Sequence, residues 1–117
     1  MKRLFTMNSF FFTSSMSALM NFAIFPLDKG EDIGDHVSKV VQHIKNSGYK
    51  YQFGSMGTTV EAEKVSDLLK LVEESYEILD PVSDRIYCVM NIDYSKNKSD
   101  LLNRKRNSIE KRIGSIS

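Results

Sequence analysis

The segment Leu19-Met20-Asn21-Phe22-Ala23-Ile24-Phe25-Pro26 constrains this chain more than any other. It is short, mostly apolar and closed by Pro26, Leu27, Asp28, Lys29 and Gly30. Such a run reads as a β-strand. Successive side chains of a strand point to opposite faces, so Met20, Phe22 and Ile24 fall on one side and Leu19, Ala23 and Phe25 on the other. Both sides are apolar, and a strand of that kind must be covered on both sides. The fold therefore needs a layer on each face of the sheet.

The rest of the chain supplies one layer. After a loop at Lys29-Gly30-Glu31-Asp32, the residues Val37, Val40, Val41 and Ile44 recur at helical spacing. Asp32 is positioned to cap this helix, Asp35 sits in its first turn, and Gly48 is placed to end it. Residues 49–56 alternate, with Tyr49, Tyr51 and Phe53 on one face and Lys50 and Gln52 on the other. Thr58 to Glu63 reads as a further strand, and Gly57 marks the turn of a hairpin. Val65, Leu68, Leu69, Val72, Tyr76 and Leu79 line one face of a second helix, with Glu73, Glu74 and Glu77 outside, and Asp80-Pro81 stops it. Arg85 to Tyr94 is the last strand, on which Ile86, Cys88, Met90 and Ile92 share a face.

Strand, helix, strand, strand, helix, strand is the ferredoxin-like βαββαβ order. The expected fold is α+β: a four-stranded antiparallel sheet with two helices on one face. Ser99 to Gly114 adds a C-terminal helix, with Leu102, Ile109, Ile113 and Ile116 near one stripe among basic residues. The other sheet face is left bare. The two-sided first strand and the Tyr49/Tyr51/Phe53 stripe predict that something covers it, and a second copy of the chain is the economical cover. The C-terminal helix is expected to pack on a neighbouring subunit.

Charge distribution narrows the partners. The 117 residues carry a net charge of +1. From Met16 to Asp93 there are seven Lys/Arg and thirteen Asp/Glu, and from Tyr94 onward seven and two. An acidic body with a basic tail argues against nucleic acid, because phosphate binding needs a basic face on the folded part. The third strand lacks the aromatic RNP1 pattern of RNA-binding relatives of this fold.

The start of the chain superficially resembles a signal peptide: Lys2-Arg3, Leu4-Phe5 and Phe10-Phe11-Phe12. Thr6, Asn8 and Ser9 break the apolar run, no small-x-small cleavage site follows, and the run is too short to span a membrane. Residues 1–15 are expected to be a disordered leader or to precede the natural start at Met16. Residues 16–117 form the expected domain, with no membrane partner. The one cysteine, Cys88, lies in an apolar run, where a buried structural thiol is expected, and a chain without disulfides fits the cytoplasm.

Catalytic and cofactor signatures find little support. No GxGxxG or GxxxxGK[ST] loop is present. Acyl-phosphate hydrolases of this topology need an arginine after the first strand, where Asp28-Lys29-Gly30 stands. His36 and His43 lie seven residues apart on one helix and read as solvated rather than as metal ligands. No cofactor or metal is expected.

The segment Gly54-Ser55-Met56-Gly57-Thr58-Thr59-Val60-Glu61-Ala62-Glu63 concentrates hydroxyls, glycines and carboxylates in a hairpin. It reads equally as polar strand ends around a turn and as a small-ligand site. In the second reading Gly57 admits a ligand to the backbone, Ser55 with Thr58 or Thr59 exchange hydrogen bonds, and Glu61 pairs with an amino or cationic group.

The chain resembles the thiamine-binding, YkoF-like family. The matching segments are residues 16–30 (Met16-Ser17-Ala18-Leu19-Met20-Asn21-Phe22-Ala23-Ile24-Phe25-Pro26-Leu27-Asp28-Lys29-Gly30), Ser47-Gly48-Tyr49-Lys50-Tyr51, the Met56 to Glu63 hairpin, Ile92-Asp93-Tyr94, and Ser108-Ile109-Glu110-Lys111-Arg112-Ile113-Gly114. At Ala62 the chain departs from the glycine usual in the family. The resemblance implies a ferredoxin-like fold, dimers or tetramers, and non-catalytic binding of thiamine or its hydroxymethylpyrimidine half. On that reading Ser55, Thr58, Thr59 and Glu61 make polar contacts and Tyr51 stacks on the ligand. Two other readings stand beside it: an interaction domain without a small-molecule ligand, and an enzyme using Glu61 or Asp93 as acid or base.

Overall fold

The computed structural model describes residues 16–116. The leader expected over residues 1–15 lies outside the described residues. Strand β1 spans Ser17–Pro26, helix α1 Ile33–Ser47, β2 Lys50–Phe53, β3 Thr58–Ala62, α2 Val65–Leu79, β4 Ile86–Ser95 and α3 Leu101–Ile113. Short 3-10 turns at Gly30–Asp32 and Asp80–Val82 lead into α1 and out of α2. The strands form one antiparallel sheet in the order β2-β3-β1-β4, which is the expected ferredoxin-like arrangement.

Register decides which side chains meet. Residues paired across antiparallel strands share a face. Tyr51 pairs with Val60, Val60 with Met20, and Met20 with Ile92. All lie on the helix side. There Met20, Phe22, Ile24 and Val60 pack with Val40 and Ile44 of α1 and Leu68, Leu71, Val72 and Leu79 of α2, all buried. Each such side chain removed from water contributes about 1.5–3 kcal/mol. Gly48 ends α1 at φ +86°, a left-handed conformation that glycine adopts without a Cβ clash. Asp32 occupies the N-cap position but makes no side-chain capping bond, contrary to expectation, because the preceding 3-10 turn already sets the entry of the chain.

The same register corrects the aromatic stripe. Tyr49 and Tyr51 pack against the core on the helix side, not on the open face. The open face instead carries Leu19, Asn21, Ala23 and Phe25 of β1, opposite Asp93, Asn91, Val89 and Tyr87 of β4. Tyr87 and Val89 are exposed, and the Phe25 and Tyr87 rings meet at 5.8 Å. One end of this face is closed by the chain itself, because α3 begins there.

Asp28 ties the exit of β1 to the entry of β4. It accepts hydrogen bonds from the Ser83 hydroxyl at 2.6 Å and the Asp84 backbone N–H at 2.8 Å. These bonds, led by the Ser83 hydroxyl, hold its carboxyl below the usual carboxylate range. Among the described residues no helix is long and apolar enough to cross a membrane, and no group of three or more His, Cys, Asp or Glu is placed to hold a metal ion.

Candidate functional site

The β2–β3 hairpin bends through Gly54-Ser55-Met56-Gly57, closed by the Gly54 backbone N–H on the Gly57 carbonyl at 3.0 Å. Gly57 is required by close approach. A Cβ there would stand 2.7 Å from Asn21 Oδ1 and 3.1 Å from the Phe22 carbonyl oxygen. The hairpin tip thus lies directly on β1. Met56 is 90% exposed and Phe53 60% exposed, so the tip presents apolar surface to solvent.

Each side of the hairpin walls a cleft. On the helix side a cleft of about 410 Å³ runs between the hairpin and α1, lined by Val37, Val41, Phe53, Ser55 and Thr58 among others. On the open side a cleft of about 390 Å³ is lined by Asn21, Gln52, Phe53, Ser55, Met56 and Thr59, together with Gly54 and Gly57. Here Asn21 Nδ2 donates to Thr59 Oγ1 at 2.9 Å. Neither cleft is lined by His, Cys, Asp, Glu, Lys or Arg. Both offer neutral donors and acceptors beside apolar walls, which suits a neutral, flat, polar-edged ligand.

The structure therefore sorts the expected site residues. Ser55 lines both clefts, Thr58 the helix-side one and Thr59 the open one. Tyr51 lies under α1 with the core and lines neither. Glu61 is 8% exposed and already engaged: Oε2 accepts from the Leu101 backbone N–H at 2.8 Å, Oε1 from that of Leu102 at 3.1 Å, and the Ser17 hydroxyl donates to Oε2. It caps α3, meeting the orphan N–H groups of the first turn with a charge that the helix dipole favours. Asp93 is an exposed residue of the open face, across from Leu19. Ala62 lines neither hairpin cleft, so the departure from glycine leaves their walls unchanged.

Asn21, Gln52, Phe53 and Met56 were not singled out as site residues from the sequence. Asn21 carried a readable signal, since it is the one strongly polar residue inside an apolar strand. Its contact with Thr59 depends on the β1–β3 register, which is not local information.

Two titratable groups outside the clefts join elements of the fold. His43 Nε2 lies 2.9 Å from Glu74 Oε1, joining α1 to α2, where a solvated histidine was expected. Cys88 packs against the core, and burial pushes its thiol up, partly offset by a hydrogen bond with Tyr76. The thiol is half-buried rather than fully buried as expected, because β4 is an edge strand of the sheet.

Comparison with known proteins agrees with this fold. A UPF0045 protein of Clostridium perfringens is 35% identical over 74 residues, covering 62% of this chain and 77% of the relative. A UPF0045 protein of Mycobacterium bovis is 25% identical over 96 residues, covering 82% and 94%. The crystal structure of a hypothetical protein of Methanocaldococcus jannaschii, 28% identical, covers 80% of this chain and 95% of that one with a TM-score of 0.70. The family described as thiamine-binding protein matches residues 20–110, from β1 through the hairpin to α3. The chain belongs to the thiamine-binding protein family.

Proposed function

We propose that this protein binds thiamine or its hydroxymethylpyrimidine half at the Gly54–Gly57 hairpin, without chemical turnover. The observation that carries the reading is that the family match runs through a hairpin walling two clefts of single-ligand size. Ser55 and Thr59 supply polar contacts in the open-side cleft, with Phe53 in the stacking role first given to Tyr51, while Thr58, expected to share them, faces the helix-side cleft and would contact only a ligand bound there. Glu61 serves the fold rather than the ligand. With no carboxylate in either cleft, the neutral pyrimidine half is the part held and the thiazolium faces water. The same lack of acids, bases and thiols favours binding over catalysis.

The proposal includes self-association in the cytoplasm. Ala23, Phe25, Tyr87 and Val89 form an apolar area on the open face, and a second copy is the economical cover. That area also favours a second reading, an interaction domain with no small-molecule ligand. Native mass spectrometry of protein purified without added ligand separates the two. A bound mass equal to thiamine or hydroxymethylpyrimidine supports the first reading. An oligomer free of ligand, also after incubation with either compound, supports the second.

A further inference from the structure

The register places four uncharged polar side chains in a row across the open face. Gln52 pairs with Thr59, Thr59 with Asn21, and Asn21 with Asn91. The row crosses all four strands, and its β2–β3–β1 part forms the floor of the open-side cleft. We infer that the Gln52 and Asn21 carboxamides read the edge of the ligand's aminopyrimidine ring, an inference that rests on the thiamine-binding reading.

Two features orient Asn21. Its Nδ2 donates to Thr59 Oγ1 at 2.9 Å, and its Oδ1 packs against Gly57, where any Cβ would clash. The amide is thereby held with one N–H and its oxygen available. Thr59, acting as acceptor, keeps its own O–H to give. Gln52 makes no side-chain hydrogen bond within the described residues, although it neighbours three polar groups of the cleft.

The chemistry matches. An aminopyrimidine presents an exocyclic N–H donor beside a ring-nitrogen acceptor. A carboxamide presents the complement, C=O beside N–H, and forms two parallel bonds, as Asn and Gln do with adenine. Phe53 and Met56, exposed at the cleft wall, give the ring an apolar face to lie against. The 4-oxo form, a carbonyl beside a ring N–H, reverses the pattern; the Gln52 carboxamide can turn over to meet it, whereas that of Asn21, anchored on Thr59, is held with carbonyl against carbonyl. The site then discriminates by at least about ten-fold, the effect of leaving polar groups unpaired.

The test is equilibrium dialysis of thiamine and its 4-oxo analogue with the full chain, Asn21→Ala, Gln52→Ala and the helix-side variant Val37→Trp. Thermal melting first confirms that each variant is folded. Wild type is expected to bind thiamine at least about ten-fold more tightly than the oxo analogue. Gln52→Ala and Asn21→Ala are expected to lose most of that affinity, and Asn21→Ala the preference as well, while Val37→Trp retains both. Wild-type affinity and preference in both alanine variants would overturn the inference and leave thiamine binding standing. Loss confined to Val37→Trp would move the ligand to the helix side. A wild-type protein that binds neither compound would end the thiamine reading and this inference together.

Discussion

Glu61 holds the start of the last helix: its Oε2 lies 2.8 Å from the backbone nitrogen of Leu101. The central sheet and α3 are joined by this carboxylate more than by apolar packing, because no residue of α3 is buried. Glu61→Gln keeps an acceptor oxygen and removes the charge. We expect a loss of about 1–2 kcal/mol in urea unfolding, with faster amide exchange at Leu101 and Leu102. Thiamine affinity is expected to stay unchanged, since Glu61 lines neither hairpin cleft.

Gly57→Ala tests the close packing of the hairpin on β1. The added methyl would stand 2.7 Å from Asn21 Oδ1. Either Asn21 turns away from Thr59 or the turn lifts off the sheet. Overpacking of this kind costs roughly 1–3 kcal/mol, read as a lower melting temperature. Ligand affinity falls with it, because Asn21 is displaced.

Acid should loosen the α3 start from a second direction. Hydrogen bonds from Lys50, at 3.2 Å, and from Asn103 hold the Asp100 carboxyl below its usual range. A lowered carboxyl pKa contributes stability above the unfolded value of about 3.9, and that contribution is lost as pH falls through the folded value. No change is expected between pH 5 and pH 8 on this account. Below about pH 4 the side-chain resonances of Lys50 and Asn103 should shift together in an NMR titration, and Lys50→Met should abolish the coupling.

The open face gives an association test. Tyr87→Lys places a charge on the exposed apolar area beside Phe25 without touching the core. Sedimentation velocity should show the wild type as a dimer or larger and the variant shifted towards monomer. Both proteins should have the same far-ultraviolet circular dichroism.

Much of the architecture was readable because its signals are local. The Val37/Val40/Val41/Ile44 spacing marked α1, Gly48 its end, and Asp80-Pro81 the end of α2. Alternation also separated Tyr51 from Gln52 correctly. It did not say which face looked toward the helices, since both bear chemistry suited to either side. That choice follows from pairing Tyr51 with Val60 and Val60 with Met20, a relation between distant strands. The helix-capping bonds of Glu61 were missed for the same reason. Its partners, Leu101 and Leu102, lie some forty residues onward, and a carboxylate in a polar hairpin gives no local sign that a helix will settle on it. Ser55 and Thr59, which line the open-side cleft, were singled out because hydroxyls and glycines cluster in the hairpin. Asn21 was not, because it joins them only through the sheet.

The central claim is that the Gly54–Gly57 hairpin binds thiamine through its pyrimidine half. Isothermal titration calorimetry of the folded wild-type protein with thiamine and with hydroxymethylpyrimidine tests it directly. The account predicts saturable heat at one site per chain with both ligands, and binding at least about ten-fold weaker when the 4-amino group of thiamine is replaced by oxo. Absence of saturable heat with either ligand would contradict it.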